Sequence, residues 1–305
     1  MRILFVTSNR VGDAVLSTGL LAHLIDRYPA SRITVVCGPY ARDIFARMPN
    51  RDRTLVLNKQ RWNLHWLPLW RWAAARRWDL VLDLRGSMLP YLVRAKQRTV
   101  LTSRAGDDSR PKIQQLARVL DLDPPPLPVA WTAAPDETLA ASLLPAARPL
   151  IALAPTANWE PKIWPADRFV ALVRALQRTA LPGAVPLILA GPGETEKRLA
   201  HRVAQSLLDS IDLAGRLILP EVTACLRHCA LFIGNDSGLM HLAAAAGTPT
   251  LGLFGPTPMQ QYAPSGPRAR GVCGGSTMHD LSVEAVLVAA TELLTTHAAA
   301  EPLPA

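Results

Sequence analysis

The stretch that decides the fold is Leu231-Phe-Ile-Gly-Asn-Asp-Ser-Gly-Leu-Met-His-Leu-Ala-Ala-Ala-Ala-Gly-Thr-Pro249. It predicts an apolar strand that ends at Gly234-Asn235 and a helix that opens at Asp236-Ser237-Gly238. A strand followed at once by a helix is the repeating unit of a parallel α/β sheet. Open sheets of this kind bind ligands where their strands end, so the turn is also a candidate binding site.

The polar residues of this turn have two interpretations. Asp236 or Ser237 can cap the helix by accepting hydrogen bonds from its free backbone N–H groups. Alternatively, the small residues leave those N–H groups, and the positive end of the helix dipole, open to a phosphate group. His241 lies one turn further on and would face the same end of the helix, although a lone helical histidine is usually structural.

The same alternation of short apolar runs and helical patterns continues along the chain and predicts an α/β protein with parallel sheets. A length of 305 residues exceeds what one core usually supports, so we expect two domains, 1–148 and 149–305, with a cleft between them. A stiff connection is predicted at Asp121–Pro128, where three consecutive prolines exclude a helix or a central strand. The predicted strands are Arg2–Val6, Arg32–Cys37, Thr54–Leu57, Leu80–Leu84, Thr99–Thr102, Leu150–Ala154, Pro186–Ala190, Leu231–Ile233 and Thr250–Phe254.

Helices are predicted between most of these strands. They are Ala14–Tyr28, Ala166–Thr179, Glu194–Leu208, Glu221–Cys229, Gly238–Ala246 and Val283–His297.

Charge is distributed unevenly between the two halves. Residues 1–149 hold 22 Lys and Arg against 12 Asp and Glu, whereas residues 150–305 hold 11 against 12. The whole basic excess therefore lies in the first half. No secretory signal is predicted, because Arg10 and Asp13 follow the first apolar run closely. The apolar stretch Leu239–Phe254 is too short to span a membrane. We expect a cytoplasmic protein or one peripheral at the inner membrane.

Gly12-Asp13 follows the first predicted strand and has two interpretations. An acid near a helix start is favoured by the helix dipole, and a glycine before it suits a turn. The position beyond the strand's carboxyl end also suits a carboxylate that takes a proton from a bound hydroxyl. A single glycine here argues against the three-glycine fingerprint of dinucleotide-binding enzymes.

Three segments in order along the chain resemble the heptosyltransferase family. The first is Arg2–Val6 leading into Gly12-Asp13, the second is Lys162-Ile-Trp164-Pro165, and the third is Asn235–His241 followed by Gly247-Thr-Pro249. The resemblance implies two facing Rossmann-like domains of the GT-B type, with the acceptor on the first domain and the donor on the second. It also implies transfer of heptose, with inversion, from ADP-heptose to an anionic lipopolysaccharide core acceptor.

The resemblance further implies roles for individual residues. Asp13 is the expected general base, with Gly12 and Arg10 on the acceptor side. Lys162 would place a positive charge on the donor diphosphate, Glu194 would bind the ribose, and Asp236 would bind the transferred sugar. The other residues expected at the donor are Ser237, Gly238, His241, Thr156 and Asn158. Family members often carry Lys or Arg where this chain has Thr7, so Arg10 is the expected substitute.

Neither a metal nor another cofactor is expected. The resemblance implies transfer without an essential metal. Cys225 and Cys229 lie one helical turn apart with His228 between them, but the region offers too few further ligands for a metal site. We therefore predict that these cysteines are buried core residues.

Residues 61–78 hold five of the eight tryptophans together with several arginines. Trp62, Trp66 and Trp70 recur every four residues, which is typical of a buried stripe on one helix face. The same mixture of tryptophan and arginine suits a membrane interface with acidic lipids. Both interpretations remain open.

Two other functions fit parts of the sequence. A sugar-nucleotide epimerase uses similar paired domains, but it has no need of a basic acceptor domain. A nucleic-acid-binding protein is suggested by the isoelectric point near 9.9. The chain, however, has no lysine-rich run and no recognised nucleic-acid motif, so nucleic acid is not an expected partner.

Overall fold

The computed structural model describes residues 1–102 and 109–298 and divides into two compact units, Met1–Trp131 and Thr132 onward. Residues 132–148 lie with the second unit, whereas the sequence places them in the first domain. A helix formed by these residues packs on the second unit, and an ion pair joins Glu137 Oε1 to Arg227 Nη1 at 2.8 Å. These two residues lie on helices that pack together, Ala134–Leu143 and Leu219–Arg227.

The first unit is built on a parallel five-stranded sheet of order β3-β2-β1-β4-β5. In register, Phe5 pairs with Val35 on one side and Leu82 on the other. The strand in the centre of the sheet is apolar and buried after Arg2, and the strands on either side of it contain buried runs, residues 33–37 and 80–83, as parallel sheets covered on both faces require. The strands are β1 (Arg2–Val6), β2 (Arg32–Cys37), β3 (Arg51–Val56), β4 (Arg77–Asp83) and β5 (Arg94–Val100).

The α-helices of the described residues that accompany this sheet are α1 (Val11–Leu16), α2 (Thr18–Arg27), α3 (Trp66–Ala74) and α4 (Lys112–Ala117). The single helix predicted over Ala14–Tyr28 is wrong, because the chain forms α1 and α2 with a break at Ser17. The hydroxyl of Ser17 donates to the carbonyl of Ala14 at 2.7 Å, and such back-bonding competes with a regular helix.

The proline segment predicted at Asp121–Pro128 runs without helix or strand after Leu122 and packs on α2. Val129 N–H donates to Thr18 Oγ1 at 2.9 Å. A Cβ atom on Gly19 would lie 2.5 Å from the carbonyl oxygen of Pro126, so only glycine allows this approach.

The second unit contains a parallel six-stranded sheet of order β11-β10-β9-β6-β7-β8. The predicted strands are confirmed within a few residues, but β8 and β11 were not predicted. They lie at the two edges of the sheet, where short or polar sequences suffice. The strands are β6 (Leu150–Ala154), β7 (Val185–Ile188), β8 (Ile211–Asp212), β9 (Leu231–Asn235), β10 (Thr250–Phe254) and β11 (Ala269–Cys273).

Helices surround the second sheet, and their buried apolar faces form its core together with the strands. Trp164 is fully buried in this core and packs edge-on against Phe169, with the ring centroids 5.0 Å apart. The helices are α5 (Ala134–Leu143), α6 (Ala166–Arg178), α7 (Glu194–Gln205), α8 (Leu219–Arg227), α9 (Gly238–Ala245), α10 (Met259–Tyr262) and α11 (Val283–Ala298).

Candidate active site

The turn between β9 and α9 carries buried polar groups without protein partners. Ser237 is the residue before α9, but its side chain makes no capping hydrogen bond. Within residues 1–102 and 109–298, Ser237 Oγ and Asn235 Nδ2 are both buried and have no hydrogen-bond partner. Buried polar atoms in native proteins are rarely left in this state, and ligand sites are one place where they are. The turn is therefore open to an anionic ligand at the helix start.

Lys162 and Asp236 are brought together at this turn. Lys162 ends a short 3₁₀ helix, Glu160–Lys162, in the loop after β6. Its Nζ donates to Asp236 Oδ2 at 2.6 Å, and the two side chains are only 20% and 7% exposed. A charge-assisted hydrogen bond of this length in a sheltered position is strong. The pair places a cation beside the uncapped start of α9, where both attract negative charge.

Trp164 fixes the loop that carries Lys162. Its backbone N–H donates to Asn235 Oδ1 at 3.0 Å, and its indole N–H donates to the carbonyl of Leu281 at 2.9 Å. The sequence identified Trp164 only through the Lys-x-Trp-Pro pattern and indicated none of these contacts. Asn235 and Leu281 are far away in sequence, so no local signal marks them as its partners.

Glu194 lies on the same edge of the sheet but is not joined to the Lys162–Asp236 pair. It is the first residue of α7, which follows β7, and β6 lies between β7 and β9. Its carboxylate pairs with Lys197 Nζ at 3.0 Å, and its side chain is 83% exposed. The exposed position leaves the carboxylate accessible to a ligand hydroxyl.

The remaining residues expected at the donor differ in exposure. Thr156 and His241 are buried, and His241 lies in the first turns of α9 as predicted. Asn158 is exposed on the loop before the 3₁₀ helix. Gly238 is the first residue of α9, so its backbone belongs to the uncapped turn.

The first unit holds Asp13 in the first turn of α1, just beyond the carboxyl end of β1. The hydroxyl of Ser8 donates to Asp13 Oδ2 at 3.3 Å and accepts from the backbone N–H of Arg10 at 3.2 Å. Asp13 is half-buried and the Arg10 side chain is exposed. Gly12, the second residue of α1, precedes the acid as expected. Ser8 was not singled out in the sequence, because a serine in a loop carries no distinctive signal.

Thr7 does not belong to this surface. It is buried, and its hydroxyl lies 2.9 Å from Ser17 Oγ. Because the Ser17 proton is donated to Ala14, Thr7 is the donor in this bond. Thr7 therefore packs in the interior of the first unit. Arg10 is the basic residue of the loop between β1 and α1.

The segment of tryptophans divides into a buried and an exposed part. Of the two interpretations left open, the buried stripe does not hold for Trp62 and Trp70, which are 85% and 38% exposed. Trp78 is buried instead, and its indole N–H donates to the carbonyl of Ala73 at 3.0 Å. Trp72 is covered by the guanidinium of Arg76, 3.9 Å from the ring centroid. The exposed rings leave an apolar surface on this part of the first unit.

The cysteines of α8 and its end lie in the core as predicted. Burial raises the pKa of Cys225 to about 11 and raises that of Cys229 as well, so neither is a thiolate at neutral pH. In the described part of the chain, no group of three or more metal-ligating side chains is found. Among the same described residues, no helix is both long and apolar enough to cross a bilayer.

Comparisons with known proteins identify relatives of this chain. The model of glycosyltransferase family 9 (heptosyltransferase) matches residues 112–287. Lipopolysaccharide heptosyltransferase 2 of Salmonella typhimurium is 26% identical, over 88% of this chain and 87% of that protein.

Solved structures show the same fold. The E. coli ADP-heptose LPS heptosyltransferase II matches with a TM-score of 0.79 at 22% identity, over 98% of this chain and 100% of that one. An E. coli heptosyltransferase solved with ADP matches with a TM-score of 0.75 at 17% identity, over 96% of this chain and 100% of that one. The chain therefore has the GT-B type fold with two Rossmann-like units, as the sequence predicts.

Proposed function

The chain belongs to glycosyltransferase family 9, and from this premise we propose that it transfers heptose from ADP-heptose to a lipopolysaccharide core acceptor. The proposal draws on relatives whose names state that activity. The same relatives favour heptose transfer over the two alternative functions, sugar-nucleotide epimerisation and nucleic-acid binding.

The donor-binding part of this proposal rests on the 2.6 Å contact between Lys162 Nζ and Asp236 Oδ2 beside the uncapped start of α9. In the proposed complex, the donor diphosphate lies against Lys162 and the N–H groups of Ser237 and Gly238. Asp236 keeps its second oxygen for hydroxyls of the transferred sugar. His241, Thr156 and Asn158 lie around this point, and Glu194 receives the ribose hydroxyls from its exposed position on α7.

Asp13 is the proposed general base for the acceptor. Its carboxylate takes the proton of the attacking hydroxyl while the new bond to the anomeric carbon forms. The bond from that carbon to the diphosphate breaks at the same time, and Lys162 stabilises the charge that develops on the leaving group. Attack opposite to the leaving group inverts the anomeric carbon. Gly12 and Arg10 stand on the acceptor side.

We place the acceptor in an acidic membrane surface at the inner membrane. The basic excess of residues 1–149 supports this, since anionic lipids attract clusters of Lys and Arg. The exposed rings of Trp62 and Trp70 support it further, because tryptophan prefers the depth of the lipid headgroups. We therefore assign the membrane contact to the exposed tryptophans of residues 61–78.

The decisive experiment incubates the chain with ADP-heptose and lipopolysaccharide cores truncated at successive sugars, followed by mass measurement of the lipid products. We expect one core to gain the mass of a single heptose. A parallel thermal shift with ADP, UDP and GDP should show the largest stabilisation by ADP. Absence of product with every core, from protein that ADP stabilises, would contradict heptose transfer.

A further inference from the structure

Arg85 is a half-buried cation whose charge is only partly balanced by nearby Asp83. It follows β4, at the same edge of the sheet as Asp13 after β1. Among the residues that the structure describes, Arg85 Nη1 is buried and has no hydrogen-bond partner. Burial lowers the pKa of this guanidinium, and nearby Asp83 opposes the effect only in part. A buried guanidinium nitrogen without an acceptor is rare unless a ligand supplies one.

Asp83, the acid that acts electrostatically on Arg85, is occupied by hydrogen bonds from its own loop. Asp83 Oδ1 accepts from the Arg85 N–H at 2.7 Å, and Oδ2 accepts from the Ser87 N–H at 3.1 Å and from the Ser87 hydroxyl. Gly86 between them takes a positive φ of 65°, which lets the loop close around the carboxylate. Asp83 thus holds the loop that carries Arg85 and leaves the guanidinium free for another anion.

His65 provides a second donor near Arg85. It is only 7% exposed, and its Nδ1 accepts from the backbone N–H of Gln60 at 3.3 Å. The ring proton is therefore on Nε2, where it can be donated to a ligand. Burial lowers the pKa of His65, and the charges of Arg85 and Lys59 lower it further, so the imidazole is neutral and its surroundings are positive. Trp66 stands beside both, with its ring 5.0 Å from the Arg85 guanidinium carbon and 5.7 Å from the His65 ring.

A cavity adjoins His65 between the end of β3 and α3. Its volume is about 340 Å³, and it has apolar walls from Leu57, Leu69 and Trp72 and polar groups from Asn58, Gln60 and His65. Ligand pockets begin at roughly 300 Å³, so this one suits a single sugar unit rather than a whole oligosaccharide. Apolar walls with a few polar groups also suit the two faces of a sugar ring.

From these observations we propose that Arg85 and His65 bind the anionic group of an acidic sugar unit of the acceptor, whose ring occupies the adjoining cavity. This inference rests on the proposed function, because it assigns the subsite to the acceptor. The recognised chemistry is an oxyanion on a sugar, either a carboxylate or a phosphate. A carboxylate or phosphate oxygen would receive the N–H of Arg85 Nη1 and that of His65 Nε2.

The test titrates the whole chain with glucuronate, glucose 6-phosphate and neutral glucose, followed by NMR of the indole N–H signals of Trp66 and Trp72. We expect at least one acidic sugar to bind about tenfold more tightly than glucose, since charge-assisted hydrogen bonds are the strong ones. Preference for glucuronate identifies a carboxylate subsite, and preference for glucose 6-phosphate a phosphate subsite. Equal affinity for all three sugars overturns the proposal.

Variants locate the effect. Arg85→Gln should reduce the affinity for the preferred acidic sugar about tenfold and leave that for glucose unchanged. His65→Phe keeps an aromatic ring but removes Nε2–H, and should reduce the affinity about threefold. Arg94→Gln, at an exposed arginine on β5, is the matched control and should behave as wild type. Wild-type affinity in Arg85→Gln overturns the proposal.

Arg85→Lys serves if Arg85→Gln does not fold. It keeps the charge but loses the planar pair of donors, so it should bind the acidic sugar several-fold more weakly with glucose unchanged. None of these titrations needs ADP-heptose or turnover. An acidic sugar that binds through Arg85 in a chain that transfers no heptose leaves the subsite standing and removes the proposed function. If the chain transfers heptose but binds acidic and neutral sugars equally well, the proposed function stands and the subsite is overturned.

Discussion

The ammonium of Lys162 and the carboxylate of Asp236 lie 2.6 Å apart, although 74 residues separate them in sequence. The lysine comes from the loop after β6 and the aspartate from the end of β9, the neighbouring strand. Each holds the other in place before any donor arrives. A charge that is already oriented needs little rearrangement when the diphosphate departs, which is the condition for strong stabilisation of a transition state.

Removing this charge should slow the reaction. We predict that Lys162→Ala lowers kcat by roughly 10²-fold, on the order of 3 kcal/mol. Lys96→Ala is the control, because Lys96 is exposed and paired with Asp79 in the first unit. Turnover is measured on protein shown to be folded by circular dichroism, since the variant also leaves Asp236 without its partner. Wild-type turnover in Lys162→Ala would show that the lysine is structural.

The role of Asp13 is tested by Asp13→Asn, which keeps size but cannot accept a proton. We predict a fall in kcat of roughly 10²–10⁴-fold with nearly unchanged ADP affinity. If Asp13 only balances the dipole of α1, the same change should destabilise the fold by about 0.5–1 kcal/mol and leave turnover of the folded protein intact. Melting temperature, ADP affinity and turnover measured on one preparation separate the two outcomes. Asp26→Asn, on the exposed side of α2, is the control.

Membrane attraction should depend on charge and on the exposed tryptophans. We predict that binding to vesicles with acidic lipid falls as salt rises, because exposed charges are screened beyond about 8–10 Å. Replacing Arg71, Arg76 and Arg77 together should weaken binding further. Arg76 also covers Trp72, so the pair Arg71→Gln and Arg77→Gln isolates the effect of charge. Equal co-sedimentation with neutral and acidic vesicles at low salt would contradict the proposed surface.

The packing of the proline segment on α2 predicts a stability effect. Gly19→Ala should lower the free energy of unfolding by about 1–3 kcal/mol, because its Cβ would lie 2.5 Å from the carbonyl oxygen of Pro126. At Gly266 the nearest atom would be 3.4 Å away, so Gly266→Ala is the control and should have little effect. Urea denaturation of both variants measures the difference, and equal midpoints would contradict the close approach.

The sequence predicted the central strands of both sheets well because these strands contain continuous apolar runs, whereas polar or short edge strands were missed or misplaced. It also indicated Lys162, Asp236 and Asp13 as candidate site residues, because each lies in a motif at a strand end or loop. The contact between Lys162 and Asp236 could not be predicted, since it depends on which strands become neighbours. The subsite of Arg85 and His65 was missed for a related reason. Neither residue belongs to a sequence motif. Among the described residues, Arg85 Nη1 is buried without a hydrogen-bond partner, and this is visible only in the folded chain.

The clamp on Trp164 anchors the loop that carries Lys162 from one side. Its bonds to Asn235 and Leu281 secure the loop two residues beyond Lys162. Neither bond involves residues 156–161, which precede the lysine, so substitutions there leave the clamp itself intact. Because Trp164 is fully buried, the clamp ties the position of this cation to the core of the second unit.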